Sequence, residues 1–538
     1  MKKFNEEIKP KTCAFLFAGI ILLAVVMRLV GISWGMPYSN LHPDEGIVFY
    51  PAYQCALDRT IDVHGSYYRP NHVTIKASAL IYMGIQDFYF APRGMNDFAA
   101  NYSEHFALFT TSSRIFVALL GVGVVIWTFL IGLFWGRKQA LFAALLAAVF
   151  PGFIEHSHYI TPDIPLLFFL MGAMWAALHY QKAPSVKWLF WMSLFTSFAI
   201  CEKYPGAYGC LIIAVAVISA HTRDIKTIII RGLLAVLFVV LGILAVSPAL
   251  ITDLKTVLDV MAGQNGDSHI GGDGLNHPQI FVYYLENAAE RMGLVLVLCS
   301  IYGVVRSFMK KTKQTILLSL LLIYLIPISM LNLHWERYDL PVYEAGVTFG
   351  AFGSLYLLED IRKRIKSRSV ISSAALIIFV LLPIGNLFAG SVAMDARFLA
   401  PDSRIVCKDD IDAMGLTLDN TACDCNTPLD PGGFYGAWGC YEGCDPSKYK
   451  WGPAPKFVMT SSGMRDLFLE GNQDMYGWIA NFYRRLDEEY PMIYIYTPEN
   501  PSFHVLEVQN IYCAARTVVR YLRGTASGCE LRVYVMHP

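Results

Sequence analysis

The chain has 538 residues, of which 55% are hydrophobic and 16% charged, and its mean hydropathy is +0.42. Soluble domains carry about 25% charged residues, so an ordinary soluble enzyme is excluded, and 43 basic against 43 acidic residues exclude the basic excess of a nucleic-acid binder. With 14% aromatic residues the chain is not disordered, which leaves a polytopic membrane protein with some water-exposed mass.

A helix needs about 20 apolar residues to cross the hydrocarbon core. Runs near 13–33, 112–135, 139–156, 163–181, 187–201, 205–220, 230–248, 291–309, 315–332, 342–358 and 370–391 predict about eleven transmembrane helices. Lys2, Lys3, Lys9 and Lys11 precede the first run and set the N-terminus on the cytoplasmic side. The following inside turns are all basic: Arg137–Lys138, Lys182 to Lys187, Arg223 to Arg231, Arg306 to Lys313 and Arg362 to Arg368. The opposite turns are basic-poor: 155–162 has no Lys or Arg, and 332–341 has only Arg337. The first run is long and lacks a small-residue cleavage site after it, so it reads as a retained span.

This pattern divides the chain in two. Residues 1–394 form a transmembrane module with long outer loops at 34–111 and 249–290, and residues 395–538 form an extracytoplasmic domain. The first loop is rich in Tyr, Phe and His, and stretches such as 74–90 read as amphipathic interfacial helices. Of 12 cysteines, seven lie in the last part: Cys407, Cys423, Cys425, Cys440, Cys444, Cys513 and Cys529. Clustered outside the membrane, they predict disulfides. The alternative is a metal knuckle from Cys423, Cys425, Cys440 and Cys444.

Ionisable residues at the ends of spans are functional candidates, and four clusters fall on one face. The first is Leu41-His42-Pro43-Asp44-Glu45-Gly46, whose carboxylates suit a general base held near an apolar surface; a solvated turn is the simpler reading. The second is Glu155-His156-Ser157-His158-Tyr159-Ile160-Thr161-Pro162-Asp163. Asp163 heads a span, where it either caps the helix or joins His156 and His158 around a divalent metal. The third is Cys201-Glu202-Lys203-Tyr204-Pro205-Gly206, where Lys203 either binds a phosphate or snorkels to the interface. The fourth is His334-Trp335-Glu336-Arg337-Tyr338-Asp339-Leu340-Pro341. Its Arg337 suits a phosphate or carboxylate, or an ion pair with Glu336 or Asp339. The 249–290 loop adds His269 with its glycines, and His277-Pro278. Asn101-Tyr102-Ser103 is a glycosylation sequon in form.

In order and spacing these clusters resemble the GT-C superfamily of membrane glycosyltransferases, and within it the protein O-mannosyltransferases and the lipid A aminoarabinose transferase. The resemblance runs over residues 10–360, and the cysteine-rich last part departs from it. It implies a GT-C-like polytopic α-helical fold with a mixed α/β soluble domain. It also implies transfer of one sugar from a polyprenyl-phosphate donor to a protein, lipid or glycan acceptor. In that scheme Asp44 is the general base of an inverting displacement, Glu45 orients the acceptor or loop, and Asp163 is a second acidic group. Arg337 and Lys203 would meet the leaving phosphate, with His269 or His277 assisting. A divalent metal is the one cofactor the pattern allows, with His42, His156 and His158 as ligands beside Asp44 and Asp163. A lipid or small-anion transporter is the rival reading, although transporters place such residues near the bilayer midplane. An oligosaccharyltransferase is a further possibility, but the chain has no obvious Trp-Trp-Asp segment.

Overall fold

The computed structural model describes residues 8–38, 41–63, 65–67, 70–264, 274–364, 370–429 and 436–536. It is mainly helical up to about residue 399. Six helices among the described residues are long and apolar enough to cross a membrane: Pro10–Leu29, Phe106–Gly132, Asp163–Lys182, Ile225–Val246, Leu294–Ser329 and Val370–Leu399. A seventh is the pair Arg137–Ala148 and Pro151–Ser157, if its 56° bend counts as one span. The count differs from eleven because several expected runs form short or interrupted helices. Val186–Glu202 has only 17 residues, and Tyr204–Ala220 is shorter than a full span. The runs 291–309 and 315–332 fall in one assigned helix broken at Lys311, which has non-helical φ −143° and ψ 53°. Leu340–Arg364 lies at the centre of the bundle and is buried over most of its length.

Close helix approach in this core depends on small residues, as in other membrane bundles. A Cβ at Gly303 would come within 1.9 Å of the Phe349 carbonyl oxygen, and one at Gly353 within 1.8 Å of the Cys299 carbonyl oxygen. Glycine alone therefore lets Leu294–Ser329 and Leu340–Arg364 meet at this distance. Arg28 is also explained by packing. It is fully buried and donates to the carbonyls of Ala147 and Ala148 at 3.2 and 3.1 Å. These are the orphan acceptors at the end of Arg137–Ala148, where a cation is favoured.

The aromatic first loop folds on itself. Helices Gly46–Leu57 and His72–Ile85 pack together and against Phe106–Gly132. Tyr82, Phe98, Tyr102 and Phe109 form a cluster of tilted and edge-to-face rings between them. The 74–90 stretch is helical as expected, with Ile75, Ala79 and Tyr82 buried and Leu80 and Phe88 exposed. Asn101 is buried, and its amide donates to Gln86 Oε1 and the Met95 carbonyl, so the sequon is a structural element in this fold.

The C-terminal part carries a small mixed sheet of order β1-β2-β4-β3, with β1 Thr421–Cys423, β2 Phe457–Ser461, β3 Met492–Tyr496 and β4 Leu531–Val535. β1 and β2 are parallel; β4 is antiparallel to both β2 and β3. Asp424 holds this domain together. Its buried carboxylate accepts from the backbone N–H groups of Ala437 and Ser461 and from the Tyr483 hydroxyl. Burial raises its pKa to about 7 against those donors.

The disulfide expectation is corrected: none of the twelve cysteines is disulfide-bonded. Four of them are divided in pairs between the two sides of the sheet. Cys425 and Cys444 pack in one core with Val458 and Tyr483, while Cys407 and Cys423 pack in the other with Met459 and Val533. A buried thiol behaves there as a small hydrophobe.

Candidate active site

Four sequence clusters converge where the transmembrane part meets the C-terminal domain. Asp44 follows a tight turn in which its N–H donates to His42 Nδ1 at 3.2 Å, and Glu45 N–H donates to the His42 carbonyl. Asp163 opens the helix Asp163–Lys182 directly after Pro162. Lys203 leaves the end of Val186–Glu202, and the chain then folds back so closely that a Cβ at Gly206 would sit 2.2 Å from the Ala199 backbone. Arg337 lies in a short 3-10 turn, Glu336–Asp339, before the central helix.

These side chains form one line of contacts. Arg337 Nη2 is 2.8 Å from Asp44 Oδ2, and its Nε is 3.8 Å from Asp163 Oδ2. Lys203 Nζ donates to Asp163 Oδ1 at 2.7 Å and stands 3.9 Å from the centre of the Tyr338 ring. Arg337 thus pairs with neither Glu336 nor Asp339. Glu336 binds Arg291 instead, with one bond of 2.6 Å. Asp339 is fully buried, with no hydrogen-bond partner for its carboxylate oxygens among the described residues.

Glu45 points away from this line. Arg114 grips it with two bonds of 2.8 and 2.7 Å, and the Ile160 N–H adds a third at 3.0 Å. Burial pushes the Glu45 pKa up, but the Arg114 charge and these bonds outweigh it, so the carboxyl is held below its ordinary value. The same Arg114 donates to the carbonyls of Ile32 and Trp34. Glu45 therefore ties the Asp44 turn to three other segments.

The line separates two spaces. On one side is a polar cavity of about 480 Å³. Its membrane-side wall carries His42, His156, Arg291, Arg337 and Arg397, with Glu155 bridging Arg291 and Arg397 at 3.4 and 2.9 Å. Its opposite wall comes from the C-terminal domain, with Asn426, Ser462, Asn500 and Ser527. On the other side is an apolar groove of about 340 Å³ lined by Tyr208, Tyr324, Pro327, Ile328 and Leu331, with Lys203 and Tyr338 among its lining residues.

The histidines divide. His42 lines the cavity, and burial lowers its pKa to about 4 despite the nearby Asp44 and Glu45. His156 also lines the cavity. Both ring nitrogens of His158 face backbone carbonyls, those of Ile154 and Val30, and the ring stacks on Phe398. It has no nitrogen to give a metal without breaking those contacts. Among the described residues no group of three His, Cys, Asp or Glu side chains is arranged to hold a metal ion. Asp44 and Asp163 already face Arg337 and Lys203, so the residues present do not fit a metal centre. His277 is exposed at the first residue of the helix His277–Met292 and lines neither space. His269 lies outside the described residues.

Sequence reasoning missed Arg114, Arg291 and Arg397. Arg114 falls within an expected span, which by itself marks a buried ionisable residue in need of a partner. Arg291 and Arg397 lie close to the ends of expected spans and resemble ordinary interfacial cations.

Among solved structures, the chain is similar to the apo oligosaccharyltransferase of Archaeoglobus fulgidus, with 11% identity and a TM-score of 0.54, over 92% of this chain and 74% of that one. The same enzyme tethered to an acceptor peptide containing the NVT sequon gives identical values. ArnT of Cupriavidus metallidurans in the apo state is 14% identical with a TM-score of 0.45, over 75% of this chain and 72% of that one. No curated protein sequence matches the chain. The fold is that of the GT-C membrane glycosyltransferases. Residues 65–256 match the family model for dolichyl-phosphate-mannose-protein mannosyltransferase. That match covers 192 of the 538 residues, and the fold is shared over most of the chain.

Proposed function

We propose that the protein moves a single sugar from its polyprenyl-phosphate donor to an acceptor hydroxyl or similar nucleophile on the non-cytosolic face, with inversion. The observation that carries this reading is the Asp44–Arg337–Asp163–Lys203 line standing between a polar cavity and an apolar groove. The donor's hydrocarbon tail occupies the groove, which puts its phosphate beside Lys203 and Arg337. The acceptor enters the polar cavity, where the C-terminal domain supplies one wall. A protein acceptor agrees with the description of the matching family; a lipid or glycan acceptor would use the same wall.

Asp44 takes the proton of the acceptor hydroxyl. The acceptor oxygen bonds to the anomeric carbon while the bond to the phosphate oxygen breaks on the opposite side. The phosphate leaves with the bonding pair, and Arg337 and Lys203 meet the charge it gains. Arg337 reaches both Asp44 and Asp163, which aims its guanidinium fork toward the place of the phosphate. Asp163 holds both cations in place and Glu45 fixes the turn that carries the base; both are positioning residues.

Two organisational features complete the reading. Residues 1–394 carry the reaction, and 395–538 shape the acceptor side. The basic turns put the N-terminus in the cytoplasm and the site on the periplasmic, extracellular or lumenal face.

The test is donor turnover by purified protein given a panel of polyprenyl-phosphate sugars and a membrane extract as acceptor source. Release of polyprenyl phosphate with label transfer, lost in Asp44→Asn, is the expected result. Turnover unchanged in that variant would remove Asp44 as the base.

A further inference from the structure

The segment after the span Ile225–Val246 contains a feature that the transfer scheme does not use. A short turn, Ala249–Thr252, leads into the helix Leu254–Gln264. Along this helix Val257 is buried against the body of the protein, with Tyr67, Ala249 and Leu250 in the same cluster. Tyr67 further fixes the approach, since its hydroxyl donates to Asp253 and Tyr204 donates to its carbonyl.

The next side of the helix is apolar and bare. Leu254, Leu258 and Met261 are 51%, 54% and 38% exposed and recur at the i, i+4, i+7 spacing of one helical stripe. The side opposite Val257 is polar: Lys255 and Asp259 form a solvated ion pair at 3.1 Å. In water the apolar stripe would cost free energy with nothing gained.

Its occupant follows from continuity. The preceding span is only 11% buried within the protein, so its outer surface faces lipid. Leu241 and Leu244, in its last turns, are still exposed. Eight residues after Val246 the bare stripe begins, so the chain holds this helix at the level where that lipid belt ends. Met261 also lines the apolar groove that contains Lys203.

We propose that Leu254–Gln264 lies in the membrane interface, with Leu254, Leu258 and Met261 among the lipids and Lys255 and Asp259 toward water. It forms one side of the groove's mouth and keeps that mouth open to the leaflet, so that a lipid-linked donor reaches Lys203 sideways from the bilayer. The first part stands on the helix itself; the second rests on the groove being the donor's lipid site.

The experiment uses the full chain in vesicles of phosphatidylcholine and phosphatidylglycerol, with Leu258→p-benzoylphenylalanine and, separately, Asp259→p-benzoylphenylalanine. Adducts after irradiation are read by mass spectrometry. The expected result is lipid adduct at position 258 in clear excess over position 259, as an oriented interfacial helix requires. Leu254→p-benzoylphenylalanine is a second probe should the first variant misfold. Equal lipid adducts at 258 and 259, adducts at 258 to a second copy of the chain, or none at all would overturn the proposal. Donor turnover in the same vesicles separates the two readings. Lipid adducts without turnover would sink the donor scheme and leave the helix in the interface. Turnover without lipid adducts would do the reverse.

Discussion

The two spaces on either side of Arg337 are built on opposite principles. In the polar cavity nearly every charge has a countercharge: Arg291 and Arg397 share Glu155, Arg404 pairs with Asp402, and Arg337 with Asp44. The groove is aromatic and aliphatic, and among the described residues Lys203 is its one charged lining residue. A paired polar wall fixes geometry, and geometry governs the chemical step. An apolar groove holds a tail equally well before and during reaction, which governs affinity alone. Substitutions in the first should act on kcat, and substitutions in the second on KM.

The largest effect should come from Asp44→Asn. It removes the base and should lower kcat by about 10²–10⁴-fold with little change in donor KM, measured as label transfer against donor concentration. A donor KM that moved as far as kcat would break the division. Next is Arg114→Ala, which leaves Glu45 buried without its cation. A loss of about 3–5 kcal/mol in stability is expected, read as a fall in the unfolding midpoint in detergent. Arg337→Ala should cost about 10²–10³-fold in kcat, as loss of a donor to developing charge does elsewhere; an effect confined to KM would move Arg337 to the groove side of the comparison. Leu331→Ala, in the groove, should raise donor KM by about tenfold at constant kcat, on the scale of one buried aliphatic side chain.

The smallest effect is on pH dependence. His42 has its pKa lowered to about 4, by burial first. Between its ordinary value near 6.5 and about 4, the unfolded chain binds a proton that the folded one refuses. Stability is therefore full above 6.5 and falls as pH drops through that window. His42→Gln should flatten this part of a stability–pH curve; an unchanged slope would assign it to other groups.

Much of the fold was legible because apolar runs and basic turns are local signals. Bundle and soluble domain both follow from them, whereas the number of spans does not. Apolarity does not set where a run breaks: Val186–Glu202 has 17 residues, and the chain then folds back at Gly206. The candidate site was legible as a set of turns and not as a set of bonds. Asp44, Asp163, Lys203 and Arg337 stand out singly, but their pairing is tertiary. That Glu45 belongs to Arg114, and Glu336 to Arg291, depends on packing between distant segments. The cysteines misled because sharing a core does not imply a bond: Cys425 and Cys444 pack in one core and Cys407 and Cys423 in the other, and all four are free thiols.

The strand order β1-β2-β4-β3 has a consequence for biogenesis. β4, the last of the four to be synthesised, pairs with β2 on one side and β3 on the other. Until it arrives, both partners present open edges, and β3 carries exposed Met492, Ile493 and Ile495. Such edges recruit other strands. The nascent domain therefore passes through an interval, from emergence of β2 to insertion of β4, in which those edges are open to pairing with other chains.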